Sequence, residues 1–118
     1  MMSIMVVDDS KIMRANIKKI LGSMQYDPIY EVSNAKDAIE VARSNHPELI
    51  TLDIAMPGID GVTAIKPLLA ASPSSKIIMV TSQGQEQMVL RSIEAGAKGY
   101  LLKPVTALKL KEAIAKIG

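Results

Sequence analysis

Five short apolar runs alternate with longer amphipathic segments, and this alternation restricts the fold more than any other feature of the chain. The runs are IMVV at 4–7, PIYEV at 28–32, ELITL at 48–52, KIIMV at 76–80 and GYLLK at 99–103. Several runs are continuously apolar and rich in β-branched residues, which is typical of strands buried on both faces. The pattern therefore favours a parallel sheet over an antiparallel sheet with one face in water.

The segments between the runs carry helical periodicity and helix-boundary signals. In the first segment, the apolar residues at helical spacing are Met13, Ile17, Ile20, Leu21 and Met24. In the last segment, the expected inner face consists of Leu110, Ala113, Ile114 and Ile117. The boundary residues that we predict are Asn34 with Asp37 three positions later, Asp60 or Gly61, Gln85 near the start of the fourth helix, Gly96 at its end, and Thr106.

A strand followed by a helix thus repeats along the whole chain. This repetition predicts an α/β fold, in which a five-stranded parallel sheet has right-handed crossovers and helices on both faces. The chain has 118 residues, of which 48% are hydrophobic, and these values suit one domain with a sizeable core. Because no linker, repeat or low-complexity segment interrupts the pattern, we expect a single domain over residues 1–118.

Composition excludes several classes of function. The chain has no cysteine, which rules out disulfides and thiolate metal sites and suits a reducing compartment. It has neither a signal-peptide pattern nor the run of about 20 apolar residues that a membrane helix needs, so we expect a cytoplasmic protein without membrane contact. The formal net charge is +2, the basic residues are scattered, and Phe and Trp are absent. Nucleic-acid binding is therefore not expected.

The candidate functional residues are those that directly follow the predicted strands. In parallel α/β sheets, ligands bind beyond the carboxyl ends of the strands. The residues at these positions are Asp8 and Asp9 after the first strand, Asp53 after the third, Thr81 and Ser82 after the fourth, and Lys103 and Pro104 after the fifth. We therefore expect three carboxylates, a hydroxyl and an ammonium to meet at one edge of the sheet.

Three clustered carboxylates repel one another unless a cation lies among them. Oxygen donors without Cys or His suit a hard cation, and Mg²⁺ fits best because it accepts a few carboxylates and keeps several waters. An alternative reading of the adjacent Asp8 and Asp9 is helix N-capping with a favourable first-turn dipole. That alternative accounts poorly for the combination with Asp53 and Lys103.

Asp53 opens the loop DIAMPGIDG at 53–61, where Pro57 and Gly58 keep a helix from starting early. A carboxylate beside a metal ion can attack phosphorus and form an acyl phosphate. This transfer depends more on charge neutralisation than on a strong base. We therefore expect Lys103 to supply positive charge next to Asp53, and Thr81 to hydrogen-bond a phosphoryl oxygen.

The segments VVDDS, LDIAMPGIDG, VTSQ and GAKGYLLKP resemble the motifs of response regulator receiver domains, with matching spacing along the whole chain. The resemblance is to the single-domain, CheY-like chemotaxis type, and it implies a flavodoxin-like strand order of 2-1-3-4-5. It also implies a phosphoacceptor that is switched by phosphorylation and is not an enzyme. The roles that it implies are phosphoacceptor for Asp53, Mg²⁺ ligation by Asp8, Asp9, Asp53 and the Ala55 backbone carbonyl, phosphoryl pairing for Lys103, and switching for Thr81 and Tyr100.

The same resemblance implies a sensor histidine kinase as phosphoryl donor, a phosphatase, and a monomeric unphosphorylated form. The output partner would be a flagellar switch protein, a phosphotransfer protein or another regulator, and the sequence does not choose among them. The expected partner face is formed by the fourth helix, the fifth strand and the fifth helix, with Met88, Leu90, Tyr100, Leu108 and Lys111. Ala55 and Gln83 are expected to flank the phosphoryl group and to tune its lifetime.

Other features qualify this interpretation. Pro67 is predicted to kink or shorten the third helix. A haloacid-dehalogenase type of phosphatase also uses an aspartate nucleophile and Mg²⁺, but it requires a second aspartate where this chain has Ala55. A flavodoxin-like cofactor binder would need a phosphate loop after the first strand, which is missing. A receiver-like interaction module with an inactive site is disfavoured by the complete set of acids.

Overall fold

The computed structural model describes residues 3–82 and 86–117, in which strands and helices alternate. The strands are β1 (Ile4–Val7), β2 (Ile29–Val32), β3 (Leu49–Leu52), β4 (Lys76–Thr81) and β5 (Gly99–Leu102). The helices are α1 (Lys11–Ser23), α2 (Ala35–Asn45), α3 (Gly61–Ala71), α4 (Glu86–Ala95) and α5 (Ala107–Ile117). Each strand begins and ends within one residue of the apolar run that predicted it.

The strands form one parallel sheet in the order β2-β1-β3-β4-β5. The α/β class and the order implied by the resemblance are therefore confirmed. Val7 pairs with Leu52, and Leu52 pairs with Met79. Thr81, the last residue of β4, pairs with Leu102, the last residue of β5. Because the strands end close together, the residues that follow them meet at one edge.

Helices cover both faces of the sheet. On one face, α1 and α5 pack through Ile17, Leu21, Leu110 and Ile114, which share a cluster with β1, β3 and β4. On the other face, α2, α3 and α4 pack against a second apolar cluster, to which the sheet contributes Met5, Ile50 and Ile77 among others. None of the helices in residues 3–82 and 86–117 combines the length and apolar character that crossing a bilayer requires. The buried sheet between the two helical layers is the scaffold for the strand ends.

Polar side chains cap α2, α3 and α5 at the predicted positions. Asn34 accepts a hydrogen bond from the Asp37 amide at 2.9 Å and donates one to the Asp37 carboxylate at 2.9 Å. Asp60 accepts from the amide three residues later at 2.8 Å, and Thr106 does the same at 3.2 Å. These side chains satisfy amides that have no partner within their helices. The cap of α1 was not predicted, and it is Ser10, which accepts from an amide at 3.3 Å.

The described part of α4 begins at Glu86 and ends at Ala95. Gln85, predicted near its start, lies outside the described residues. Gly96 follows with a φ of +121°, a conformation that glycine adopts without strain. The predicted end of this helix is therefore confirmed.

Pro67 lies inside α3, and the helix nevertheless continues to Ala71. The predicted shortening is therefore wrong. Proline removes a single backbone hydrogen bond from a helix interior. Ile65 and Leu68, on either side of Pro67, are fully buried, and their packing holds the helix against the core across this position.

Thr51 is a polar exception within β3. Its side chain is 1% exposed, and its hydroxyl has no hydrogen-bond partner among the residues that the structure describes. Leaving a buried polar group unsatisfied costs about 1–3 kcal/mol. The strand that leads to Asp53 thus carries a local stability cost.

Replacing Thr51 by valine should therefore stabilise the protein. We expect Thr51→Val to raise the free energy of unfolding by about 1 kcal/mol, because valine has a similar volume and no hydroxyl to leave unsatisfied. Urea denaturation measures the change. The control is Thr63→Val at an exposed position of α3, which should change stability by less than about 0.5 kcal/mol. A loss of stability in Thr51→Val would contradict the expectation.

Candidate functional site

Backbone hydrogen bonds continue the sheet pairing one residue beyond β1 and β3. The Asp8 amide donates to the Val32 carbonyl at 3.1 Å, and the Asp53 amide donates to the Val7 carbonyl at 2.9 Å. Because Val7 and Leu52 are paired, the residues that follow them lie side by side. The end of the sheet thus holds Asp8 and Asp53 as neighbours.

Asp9 completes a cluster of three carboxylates. Asp8 and Asp53 are only 1% and 4% exposed, whereas Asp9 is exposed. One carboxylate oxygen from each of the three lies within 4.8 Å of the others. The acids from two distant parts of the sequence therefore meet, and one side of the cluster is open to solvent.

Lys103 lies against this cluster rather than in solvent. Its ammonium Nζ donates a hydrogen bond to Asp8 Oδ2 at 2.9 Å and is 3.5 Å from Asp53 Oδ1. Its backbone amide donates to the Thr81 carbonyl at 2.8 Å. Both ends of the lysine are thus fixed, the backbone by β4 and the ammonium by two acids.

The pKa values of the central groups respond to this crowding. Burial raises the pKa of the Asp53 carboxyl above its ordinary value, and the negative charge of Asp8 raises it further, while Lys103 opposes both effects. Burial alone would lower the pKa of Lys103, but the hydrogen bond to Asp8 and the charges of Asp53 and Asp8 outweigh it and raise that pKa. The lysine therefore remains charged at neutral pH.

Negative charge exceeds positive charge in the cluster. Three carboxylates face one ammonium, so two negative charges remain when all four groups are ionised. The acidic ligands are all oxygen donors, and hard divalent cations such as Mg²⁺ prefer oxygen ligands and keep coordinated waters on an open side. The excess charge, the donor type and the exposed side at Asp9 thus fit a Mg²⁺ ion.

Thr81 lies on β4, which pairs with the strand that leads to Asp53, and Tyr100 lies on β5, one strand further out. Thr81 is the last residue of β4 and is 1% exposed. Tyr100 is partly buried on β5 opposite Met79, and burial raises the pKa of its phenol. The two residues to which the resemblance assigns a switching role are therefore on paired strands.

Arg14 contacts the site and was missed by the sequence reasoning. Its guanidinium donates from Nη1 to the backbone carbonyl of Asp8 at 2.7 Å, and its Nε is 3.6 Å from Glu31. The Ser10 amide donates to Asp8 Oδ1 at 2.9 Å. Backbone and side chain of Asp8 are thus both held. The sequence signal for this contact is the position of Arg14 one helical turn after the Ser10 cap, because a side chain there points back towards the end of β1.

The remaining predicted residues are more peripheral. Ala55 is exposed in the loop that follows β3. Gln83 lies outside the described residues, so its expected role stays a prediction. The predicted partner face is exposed only in part, with Leu90, Leu108 and Lys111 exposed and Met88 and Tyr100 partly buried.

The raised pKa of Asp53 predicts a pH-dependent stability difference in metal-free buffer. An acid whose pKa is raised by folding destabilises the folded state as pH rises from the unfolded value of 3.8 through the folded value. We therefore expect Asp53→Asn to be more stable than the wild type at neutral pH, and the gain to shrink towards zero as pH falls below 3.8. Urea denaturation across the acid range measures it.

Two controls accompany this comparison. Asp60→Asn changes an exposed carboxylate of the same loop to a residue that caps helices equally well, and it should not gain stability at neutral pH. Added Mg²⁺ should reduce the stability advantage of Asp53→Asn over the wild type, because a bound cation favours the ionised acids. A wild type that is more stable than Asp53→Asn at neutral pH without metal would contradict the expectation.

Comparisons with known proteins agree with this geometry. The sequence model of the response regulator receiver domain family matches residues 4–115 of this chain. Chemotaxis protein CheY of Bacillus subtilis (strain 168) is 40% identical over 113 residues, which cover 96% of this chain and 94% of that protein. A CheY-like receiver domain protein from Methanospirillum hungatei JF-1 has a TM-score of 0.91 at 27% identity, covering 98% of this chain and 92% of that one. In fold alone, a chain of the CheX-CheY-BeF3-Mg+2 complex from Borrelia burgdorferi has a TM-score of 0.93 at 24% identity, with 98% and 88% covered. The chain therefore belongs to the response regulator receiver family.

Proposed function

We propose that this chain is a phosphorylatable CheY-like response regulator whose Asp53 accepts a phosphoryl group from a phosphohistidine of a sensor kinase. The observation that carries the proposal is the contact of the Lys103 ammonium with Asp8 at 2.9 Å and Asp53 at 3.5 Å, beside a third converging carboxylate. A purely structural ion pair of Lys103 with Asp8 and Asp53 would not require Asp9 as a third converging carboxylate. Phosphoryl transfer to a carboxylate uses the nucleophile together with positive charge on both sides of it.

The proposed Mg²⁺ ligands are the carboxylates of Asp8, Asp9 and Asp53 and the backbone carbonyl of Ala55. When bound, the ion neutralises charge on the phosphoryl oxygens during transfer. The protein's own contribution is to hold the acids in place. The Arg14 guanidinium and the Ser10 amide fix Asp8 from two sides, so a cation would meet ligands that are already oriented.

In the proposed transfer, a carboxylate oxygen of Asp53 bonds to phosphorus, and the phosphorus–nitrogen bond to the donor histidine breaks. The electron pair of that bond stays on the imidazole nitrogen. Because its pKa is raised, Lys103 stays protonated and pairs with a phosphoryl oxygen. The Thr81 hydroxyl donates to another phosphoryl oxygen. The product is an acyl phosphate on Asp53, so the chain serves as a phosphoacceptor and slowly dephosphorylates itself.

The proposed output is a change at the surface formed by α4, β5 and α5. New hydrogen bonds of Thr81 and Lys103 to the phosphoryl group favour one of two arrangements of this surface, in which Tyr100 turns inward. The exposed Leu108 and Leu90 are then contacts for a partner. The proposed partner is a flagellar switch protein, because proteins named chemotaxis protein CheY are 40% and 35% identical to this chain.

A phosphorelay intermediate or a stand-alone receiver outside chemotaxis is the alternative within this family, and the identity of the partner separates the two. We also propose that the protein is cytoplasmic, like its proposed kinase partner's receiver-binding part, and that it is monomeric before phosphorylation. An aspartate-nucleophile phosphatase is disfavoured, because position 55 holds alanine rather than a second acid.

Acetyl phosphate with Mg²⁺ tests the phosphoacceptor. We expect the wild type to gain the mass of one phosphoryl group, and Asp53→Asn to gain none. Lys103→Met should slow the gain about a hundredfold, because it removes a positive charge beside the transferred group. Intact-mass spectrometry over time measures all three proteins.

Lys98→Met is the matched control, since Lys98 is an exposed lysine just before β5. Its rate should equal that of the wild type. A wild type that stays unmodified with Mg²⁺ present would remove the basis of the proposal, and equal rates for the two lysine variants would remove the role of Lys103.

The output surface has its own test with beryllofluoride and Mg²⁺, a stable mimic of the phosphoryl group. We expect the NMR signals of Thr81, Tyr100 and the α5 amides to shift in the wild type but not in Asp53→Asn. Leu108→Glu changes only an exposed side chain, 66% accessible, so its phosphorylation by acetyl phosphate should match the wild type. Slower phosphorylation of Leu108→Glu would place that residue in the reacting site instead of the output surface.

A further inference from the structure

We propose that Gly61 is a positioning residue for the phosphoacceptor, because its missing side chain lets the start of α3 pack directly on the backbone of Asp53. The inference rests on the proposed function of Asp53. In this proposal, Gly61 fixes the position of the Asp53 carboxylate and of the loop that follows it.

The contact is closer than any side chain permits. A Cβ atom on Gly61 would lie 2.1 Å from the Asp53 carbonyl oxygen, 2.8 Å from the Asp53 carbonyl carbon and 2.8 Å from the Ile54 Cα. Real Cβ atoms essentially never approach other heavy atoms within 3.0 Å. All three neighbours are backbone atoms, so no flexible side chain can turn away to make room.

Space, and not backbone conformation, is the reason for glycine at this position. Among the glycines that the structure describes, Gly58 and Gly96 have positive φ, and a Cβ on Gly58 would meet no atom within 4 Å. Gly61 is an ordinary first helical residue by its backbone, and it is buried. Its requirement therefore comes only from the closeness of Asp53 and Ile54.

A hydrogen bond ties the same two segments together. The Gly61 amide donates to the Ile54 carbonyl at 2.9 Å. The loop that leaves β3 after Asp53 thus returns to its own beginning, and Gly61 closes it. The carbonyl of Ile54 is held by this bond, which leaves the Ala55 carbonyl as the next one along the loop for the proposed metal ligand.

Neither side of this contact can move freely. The Asp53 amide is hydrogen-bonded to β1 at 2.9 Å. The helix that Gly61 begins is anchored by the buried Ala64, Ile65 and Leu68. Raising a separation of 2.1 Å to 3.0 Å requires a shift of about 1 Å, and a misplacement of this size at a reacting group can cost about a hundredfold in rate.

Three variants isolate positioning from stability. Gly61→Ala adds the colliding methyl group. Gly22→Ala adds the same group in α1, where nothing lies within 4 Å. Leu21→Ala removes a fully buried side chain near the far end of α1 and destabilises the fold without touching the acids. Thermal unfolding ranks their stabilities.

The decisive readouts are Mg²⁺ affinity by calorimetry and the rate of phosphorylation by acetyl phosphate at saturating Mg²⁺. We expect Gly61→Ala to bind Mg²⁺ at least about tenfold more weakly and to react about a hundredfold more slowly, while Gly22→Ala and Leu21→Ala keep wild-type values. Wild-type values in Gly61→Ala, or equal losses in Leu21→Ala, would overturn the positioning role and leave the proposed function intact. An unreactive wild type would instead overturn the proposed function, and this inference with it.

A measurement on the wild type covers the case in which Gly61→Ala does not fold. We expect the Gly61 amide to be protected from hydrogen exchange and its NMR signal to shift on addition of Mg²⁺, since it is bonded to the loop that holds the ion. An unprotected Gly61 amide that does not respond to Mg²⁺ would overturn the inference.

Discussion

An ammonium held between two buried carboxylates is the interaction on which the rest of this site depends. Lys103 Nζ lies 2.9 Å from Asp8 and 3.5 Å from Asp53, and the two acids are 1% and 4% exposed. Buried like charges on neighbouring strands repel each other, and an opposite charge within hydrogen-bond distance offsets part of that repulsion. The offset is incomplete, as the raised pKa of Asp53 reflects. The site therefore keeps an excess of negative charge, which attracts a further cation.

The sheet makes this arrangement rigid. β1 and β3 are buried along their whole length, and their pairing sets Asp8 beside Asp53. Apolar layers pack against both faces, and close-packed interiors resist small displacements. Asp8 and Asp53 lie just past the strand ends, where a backbone hydrogen bond still holds each of them. Asp9, the third acid of the cluster, is the one exposed to solvent. A rigidly held pair of buried acids thus has an opening to solvent beside it.

The strand bounds, the caps of α2, α3 and α5, and the convergence of the acids on the edge that carries Lys103 could be predicted from the sequence. Buried parallel strands have a distinctive apolar signature, and charged residues mark where they end. The strand order came from the resemblance and not from the pattern. The contacts of Arg14 and Gly61 with the acid-bearing backbone could not be predicted, because they depend on how loops and helices fold back on the sheet. Of the two effects predicted for Pro67, a kink or a shorter α3, the shortening is wrong, since a local rule ignores the packing that holds a helix in place.

The position of Lys103 has a consequence for how a change of charge at the acids is passed to the rest of the sheet. The lysine extends from β5, which is the last strand of the sheet and the least buried at its end, where Leu102 is 46% exposed. Its ammonium group contacts the buried acids, while its backbone follows an edge strand. A different partner for the ammonium therefore acts directly on an edge strand, which is paired with β4 alone.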